Sequence, residues 1–199
     1  MTSAAKIARK IIAEEPRFAP VIERSGFCPI GSTPRKESNF RSLATSIISQ
    51  QLSTKAAATI IARVEKLTGG ITPARIERIR VGRLREAGLS GTKARAIKEL
   101  ASAESEVRFS RLHLLEDDDA IFERLLPLFG IGTWTVEMFL IFQVGRPDVW
   151  PIGDLGVRRG WERIHRMKGE ISPAELQKRG ERFRPYRSHV AWYCWRALE

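Results

Sequence analysis

Apolar residues recur every three or four positions along most of the chain, and this spacing predicts amphipathic helices. The pattern is clearest from Ser38 to about Gln50 and from Ser53 to the glycine pair at Gly69. Ser38 and Ser53 are placed to cap the start of each helix, and Gly69 is placed to end the second. Since no segment shows the apolar–polar alternation of a β-strand, we predict an all-α protein.

Further helices are predicted towards both ends of the chain. Their expected positions are Ala4–Glu15, a short helix after Thr72-Pro73, a helix from Thr92 to about Glu106 with Thr92 as its cap, Asp117–Leu125 with an acidic first turn, Leu155–His165, Ala174–Phe183 after Ser172-Pro173, and a last helix from Pro185. Phe18–Lys36 contains several Pro and Gly residues and is expected to be mostly loop. The apolar run Phe139–Phe142 is expected in the core.

A Gly-Ile-Gly turn at Gly130, Ile131 and Gly132 precedes an apolar helix that starts near Thr133. Both glycines permit a positive φ and a close approach of another backbone. The first N–H groups of the helix have no acceptor within it, and such an end can bind an anion. An ordinary turn between two helices has the same pattern, so the turn alone does not decide between these interpretations.

Charge points to a polyanionic partner. The 34 Lys and Arg residues exceed the 23 Asp and Glu residues, and the net charge is +11. Nucleic acid is the commonest polyanion, although a well-solvated basic surface or a membrane surface also fits this charge. The chain contains no apolar run of about 18 residues and its N-terminus lacks a secretory signal pattern, so a cytoplasmic protein without membrane spans is expected. Cys28 and Cys194 lack Cys-x-x-Cys spacing, which argues against a disulfide framework, a zinc finger or an iron–sulfur cluster.

Three segments together resemble the helix-hairpin-helix DNA glycosylase superfamily and its AlkA-like 3-methyladenine DNA glycosylase II branch. They are SIISQQLSTKAAATIIARV, the hairpin Gly130–Thr135 followed by Asp154, and PYRSHVAWYCW near the C-terminus. The resemblance covers residues 38–199. It implies two helical subdomains flanking a DNA-binding cleft, with a helix-hairpin-helix motif. We therefore expect an N-terminal helix and loop in 1–37 that pack on the C-terminal subdomain, a central subdomain in 38–130 and a C-terminal subdomain in 131–199.

The resemblance also assigns roles to individual residues. Asp154 matches the catalytic aspartate, and Trp134, Met138 and Trp195 match positions that line the base pocket. The residues expected to contact DNA are Gln51, Leu52, Lys93, Gly130, Ile131, Gly132, Thr133 and Thr135. Backbone carbonyls of Leu126, Leu128 and Gly130 are the implied ligands of a monovalent cation, Na⁺ or K⁺, and no other cofactor is expected.

Each of these roles has a structural alternative. Ser49–Leu52 is either a plain interhelical loop or a segment whose Gln51 or Leu52 enters the duplex and fills the gap left by a flipped base. Lys93 either lies on a solvated face or meets a phosphate. Asp154 is well placed to cap the helix after it, and this role is compatible with catalysis. Aromatic residues often pack in the core, and Trp161 and Trp192 are assigned there.

One departure from the family pattern and one distinction within the superfamily bear on activity. Met138 occupies a position that is Tyr in the best-known members, so their substrate range cannot be transferred to this chain. Members that also cut the DNA backbone resemble one another in a Lys on the hairpin helix, where this chain has Trp134, and no Lys lies between Leu126 and Asp154. The resemblance therefore implies a monofunctional enzyme that uses water.

The predicted function is release of alkylated, cationic purines such as 3-methyladenine from double-stranded DNA by a monomeric enzyme. Two alternatives stay open. One is a glycosylase for hypoxanthine or an oxidised base, and the other is a non-catalytic helix-hairpin-helix module that binds DNA.

Overall fold

The computed structural model describes residues 3–32 and 37–199, and within them it contains thirteen α-helices and no β-strand. The all-α prediction is confirmed. The helices are α1 Ser3–Glu14, α2 Ala19–Ser25, α3 Asn39–Ser49, α4 Thr54–Thr68, α5 Pro73–Arg78, α6 Val81–Glu86, α7 Gly91–Ser102, α8 Glu104–Val107, α9 Asp118–Leu125, α10 Thr133–Met138, α11 Leu155–His165, α12 Pro173–Gly180 and α13 Arg187–Ala197. Short 3₁₀ segments lie at Pro16–Phe18, Phe109–Leu114 and Glu181–Phe183, and a π-helical segment lies at Phe139–Val144.

Several helix ends fall where the capping residues predict them. The Ser38 hydroxyl accepts a hydrogen bond from the Arg41 N–H, and the Ser53 hydroxyl accepts one from the Ala56 N–H. Gly69 follows α4 in the left-handed conformation, with φ of 72°. The start of α9 is also as predicted, because Asp117 is its N-cap and accepts from the Asp119 N–H.

Two of the helix predictions were wrong. Part of the segment expected to be loop is the helix α2, which Pro20 does not interrupt because proline is tolerated in the first turn. Residues 33–36 of that segment lie outside the described residues. The N-cap of α7 is Ser90, whose hydroxyl accepts from the Lys93 N–H, and Thr92 lies inside the helix.

The described residues form two compact units. The first unit comprises 3–32 and 140–199, and the second comprises 37–139. The boundary between the two units lies after Phe139, whereas the boundary expected from the resemblance lies after Gly130. The physical reason is that α10 packs on α3 and α9, so the hairpin and the helix after it belong to the second unit.

In the first unit the most extensive contact between two helices is that of α11 with α13. Both glycines of α11 make this approach possible. A Cβ on Gly156 would lie 2.8 Å from Cδ1 of Trp195, and a Cβ on Gly160 would overlap the backbone carbonyl of Cys194. Trp161 of α11 is completely buried, as predicted, whereas Trp192 is only half-buried.

The second unit is built on α3. Its apolar face is buried against α4, α7 and the 3₁₀ segment Phe109–Leu114, and it carries Phe40, Leu43, Ala44, Ile47 and Ile48. The rings of Phe40 and Phe109 meet edge to face with centroids 5.5 Å apart. The predicted inner face of this helix is therefore confirmed.

Both cysteines lie in the first unit and are buried. Burial raises the pKa of the Cys28 thiol to about 12, and it also raises the pKa of the Cys194 thiol. Near neutral pH both groups are therefore thiols, which are poor nucleophiles and poor metal ligands. None of the helices in the described ranges is both long and apolar enough to cross a membrane.

Gly160→Ala is expected to lower the free energy of unfolding by about 3 kcal/mol, because the new methyl group meets backbone that cannot move without separating α11 from α13. Gly82→Ala is the control, since Gly82 lies within α6 and a Cβ there meets nothing within 4 Å. That control should be neutral or more stable by up to about 1 kcal/mol. Urea unfolding measures both, and equal effects of the two substitutions would contradict the role given to Gly160.

Candidate active site

The hairpin between α9 and α10 depends on Gly130. Its φ is +85°, and an added Cβ would lie 2.6 Å from the Cβ of Ala96. Both the conformation and the space therefore require glycine here. Gly132 differs from the expectation: its φ is −108°, in the extended region, and an added Cβ would meet nothing within 4 Å. Gly132 is exposed, and it is followed by Thr133, whose N–H has no acceptor within the helix it begins.

Gln50 connects the turn after α3 to this hairpin. Its side-chain Nε2 donates to the backbone oxygen of Gly130 at 3.0 Å and to the hydroxyl of Thr135 at 3.3 Å. No pattern in the sequence indicates this residue. A glutamine between two helical segments gives no pattern of its own, and only the fold shows which backbone it reaches.

Two residues expected to contact DNA are buried within the second unit. Ile131 and Thr135 are 6% and 2% exposed. The Ile131 N–H donates to the Leu128 carbonyl, and the Thr135 N–H donates to the Gly132 carbonyl. Their contacts support the hairpin itself, and the residues of the turn that face solvent are Gly130, Gly132 and Thr133.

The three carbonyls expected to bind a monovalent cation are partly engaged. Leu128 accepts from the Ile131 N–H, and Gly130 accepts from Gln50. Because a carbonyl oxygen has two lone pairs, each could still coordinate a cation. The cation at Leu126, Leu128 and Gly130 stays a prediction.

Trp134 and Met138 lie on one face of α10, four residues apart. The Trp134 side chain is in the first turn and is 44% exposed, and Met138 is half-buried. The hairpin therefore presents a large aromatic ring close to its exposed amide groups. The role of Trp134 in the base pocket stays a prediction.

Ser49–Leu52 forms a type II turn. Gln50 has φ of −48° and ψ of 130°, Gln51 has φ of +58°, and the Leu52 N–H donates to the Ser49 carbonyl at 3.1 Å. The third position of this turn favours glycine, and a side chain there costs roughly 1–2 kcal/mol. Gln51 is exposed, and Leu52 is 39% exposed. A strained, exposed side chain of this kind is more typical of a functional position than of a plain loop.

Lys93 supports the same turn from α7. Its Nζ donates to the backbone oxygens of Ile48 at 2.7 Å and of Gln50 at 2.5 Å. Desolvation lowers the pKa of the ammonium. The ammonium thus stabilises the carbonyl end of α3, where a cation is favoured. Its contact with a DNA phosphate stays a prediction.

In the first unit Asp154 is held by two donors. It is the N-cap of α11, and its Oδ1 accepts from the Val157 N–H at 2.7 Å. The same oxygen accepts from the indole Nε1–H of Trp195 at 2.9 Å. The predicted capping role is confirmed, and the structure adds a side-chain donor that the sequence did not indicate. Two donors on one oxygen fix the orientation of the half-buried carboxylate.

Trp195 is accompanied by a second aromatic ring. Phe142 lies 5.4 Å from the Trp195 ring, centroid to centroid, and the two planes are inclined by 33°. The placement of Phe142 in the core was wrong, since its side chain is 58% exposed whereas Phe139, Leu140 and Ile141 are buried. These residues lie in the π-helical segment, whose wider turn shifts the side that faces solvent. A pattern with 3.6 residues per turn does not anticipate this shift.

Comparison with known proteins identifies the class. Residues 44–185 match the profile described as "HhH-GPD superfamily base excision DNA repair protein". DNA-3-methyladenine glycosylase 1 of Schizosaccharomyces pombe is 32% identical over 166 residues, which cover 81% of this chain and 73% of that protein. The chain therefore belongs to the HhH-GPD superfamily.

Solved structures agree with this assignment. The S. pombe 3-methyladenine DNA glycosylase in complex with abasic DNA matches with a TM-score of 0.85 and 28% identity, covering 96% of this chain and 95% of that one. A DNA-3-methyladenine glycosidase from Bacillus halodurans matches with a TM-score of 0.82 and 34% identity, covering 96% and 88%. These likenesses extend over almost the whole chain.

Gln51→Gly separates the strain of the turn from the function of the side chain. Relief of the left-handed conformation should keep the free energy of unfolding unchanged or raise it by up to about 1 kcal/mol. If the side chain fills the gap left by a flipped base, release of that base should slow at least about tenfold, the order expected when a few kcal/mol of unstacking is no longer compensated.

The control is Arg108→Gly, because Arg108 has a similar φ of +53° at the end of α8. This variant should also keep its stability but should release base at the normal rate. Thermal unfolding and single-turnover assays measure both effects. Normal base release by Gln51→Gly would show that the Gln51 side chain does not fill the gap left by the flipped base, and Leu52 would then be the candidate for this role.

Proposed function

We propose that the protein is a DNA glycosylase of base excision repair that removes 3-methyladenine and related alkylated purines from double-stranded DNA. The observation that carries this proposal is the Asp154 carboxylate, which is oriented by the Val157 N–H and by Trp195, whose ring lies against the exposed Phe142 ring. Two relatives named as 3-methyladenine glycosylases support it. They are the S. pombe protein and a DNA-3-methyladenine glycosylase of Saccharomyces cerevisiae, which is 28% identical and aligns with 94% of this chain.

The role of Asp154 follows from the charge that develops during base release. The N-glycosidic bond breaks, its electron pair leaves with the base, and positive charge develops on the sugar. A carboxylate stabilises that charge best when its orientation is fixed before the reaction. Water then adds its oxygen to C1′ of the sugar and gives up a proton, which the Asp154 carboxylate is suited to accept. An abasic site and the free base are the products.

An alkylated purine carries positive charge, so it leaves readily and also attracts electron-rich rings. Contact of such a cation with an aromatic face contributes on the order of 1 kcal/mol or more when water is excluded. Trp134 and Trp195 are the proposed aromatic contacts, and Phe142 joins them because it lies against Trp195 with most of its side chain exposed.

Met138 bears on which bases are accepted. A thioether side chain is flexible and polarizable, and it lacks the hydroxyl of the tyrosine that the family pattern has there. We propose that this residue widens the range of alkylated bases by adapting to their shape. Preference among 3-methyladenine, 7-methylguanine, 1-methyladenine and hypoxanthine is then measured with a panel of lesions.

Binding of DNA is proposed to involve the exposed hairpin backbone and the basic surface. Gly132 and Thr133 are the proposed phosphate contacts. A Cβ added to Gly132 would meet no atom within 4 Å, so the space beside this backbone is open to a phosphate. Each phosphate that Lys or Arg neutralises should make affinity fall with salt concentration. Lesions that already weaken base pairing should be flipped most easily.

Asp154→Asn tests the catalytic role without disturbing the fold. Asparagine caps a helix about as well as aspartate, so the free energy of unfolding should change by less than about 0.5 kcal/mol. Removal of the negative charge should slow release of 3-methyladenine from methylated DNA at least about a hundredfold, the order seen when one electrostatic contact to a transition state is lost. Duplex binding should be retained.

Asp154→Ala is the comparison, and it should lose about 1 kcal/mol of stability as well as activity. If the wild-type protein releases no base from any alkylated substrate while it binds DNA, the non-catalytic module is correct. If it releases only hypoxanthine or an oxidised base, the protein is a glycosylase for that lesion and not for alkylated purines.

A second test concerns strand cutting. Because the hairpin helix carries Trp134 where bifunctional members have a Lys, we propose that water is the nucleophile and that no Schiff base forms. Borohydride added during turnover should trap no covalent protein–DNA adduct, with a Schiff-base-forming glycosylase as the positive control. A trapped adduct on denaturing gels would contradict monofunctional chemistry.

A further inference from the structure

The first unit contains a basic cavity that the proposed reaction does not use. Its volume is about 580 Å³, and its walls come from the segment after α1, the helix α2, the C-terminal end of α11 and the end of α13. Four arginines line it: Arg17, Arg24, Arg163 and Arg166. Among the described residues that line this cavity there is no Asp or Glu.

Neighbouring groups neutralise little of this charge. Arg24 donates to the backbone oxygen of Arg196 at 2.7 Å, which is a neutral acceptor. The Arg17 side chain is 61% exposed and lies 3.8 Å from Glu15, which also binds Arg182 at 2.7 Å. Glu15 also lies 3.4 Å from His165, which lines the cavity, and the Glu199 N–H donates to the Arg196 oxygen that Arg24 binds. The lining itself still carries four exposed guanidinium groups and no carboxylate.

The end of α11 does not explain the four arginines. A helix C-terminus attracts cations, but its effective charge is only about half an elementary charge. Arg166 follows α11 with φ of +51°, in a conformation that favours glycine at this position. The unfavourable conformation does not by itself indicate a function, since Arg108 has a similar φ, but Arg166 adds a fourth guanidinium group to an arginine-lined cavity.

The remaining walls suggest the character of that ligand. Pro20, Val21, Ile164 and Ala197 supply apolar surface between the guanidinium groups. A cavity of this volume is within the range of small-ligand sites, about 300–1,000 Å³. The planar fork of arginine matches phosphate oxygens with two parallel hydrogen bonds.

We infer that this cavity is a second, phosphate-binding site that takes a nucleotide, either free or as part of a nucleic-acid strand. The phosphate contacts the arginines and the apolar part of the nucleotide lies on the uncharged walls. The site is separate from Asp154, because Arg163 lies nine residues further along α11, about 14 Å along the helix axis.

The test uses the full-length protein with four probes: inorganic phosphate, adenosine 5′-monophosphate, adenosine, and a short undamaged duplex. Titration calorimetry measures the first three, and fluorescence anisotropy over a range of salt concentrations measures the duplex. The wild-type protein should bind adenosine 5′-monophosphate more tightly than adenosine. Arg163→Gln with Arg166→Gln should weaken that binding at least about tenfold, since two charge-assisted contacts are lost.

The charge-matched control is Lys178→Gln with Arg179→Gln, two exposed residues of α12 outside the cavity. It should change every affinity by less than about twofold. Should the first double variant fail to fold by circular dichroism, Arg17→Gln with Arg24→Gln replaces it. Base release from methylated DNA at saturating protein should stay normal, so failure of this inference is distinguishable from failure of the proposed function.

Two positive results identify the source of the phosphate. Weaker nucleotide binding with an unchanged salt dependence for the duplex assigns the cavity to a free nucleotide. A loss of duplex affinity, with the slope against salt reduced by about two, assigns it to a nucleic-acid strand. The inference is overturned if the cavity variant matches the control with all four probes, or if adenosine binds as tightly as its phosphate.

Discussion

The close contact of α11 with α13 is the constraint on which the candidate active site depends. Gly156 and Gly160 remove the side chains that would hold these helices apart, and only then can the Trp195 indole reach Asp154. The carboxylate is fixed by a helix N-terminus on one side and an indole on the other. The Val157 N–H is a local donor within α11, but the Trp195 donor comes from α13 and would not be in place if the two helices were wider apart.

In the second unit, polar side chains hold the candidate site residues in position. Its hairpin and its Ser49–Leu52 turn are both irregular backbone, which needs hydrogen-bond partners. Gln50 supplies a donor to the hairpin, and Lys93 supplies donors to the carbonyls at the end of α3. With the supporting backbone held in this way, the strained Gln51 and the exposed Trp134 keep defined positions, as residues that must meet a ligand require.

The sequence predicted the parts of the fold that depend on local chemistry. Ser38, Ser53 and Asp117 cap helices because their side chains reach N–H groups two or three residues away. Asp154 was predicted for the same reason. Phe142, Gln50 and the Trp195 donor were missed, since each depends on contacts with residues distant in the chain or on a π-helical segment that ordinary periodicity does not reveal. The resemblance of three segments supplied the family and the reaction, which helix periodicity alone does not contain.

The double role of Asp154 makes substitutions at this position unusually informative. Asparagine caps a helix about as well as aspartate, so the stability of the fold distinguishes the two residues only weakly. A strong preference for aspartate over asparagine in a set of natural variants would therefore mainly reflect selection for chemistry. Gly160 is the opposite case, because its replacement alters packing without touching a reacting group. Variation at these two positions of one helix would thus separate, within a single population of genes, the pressure to catalyse from the pressure to fold.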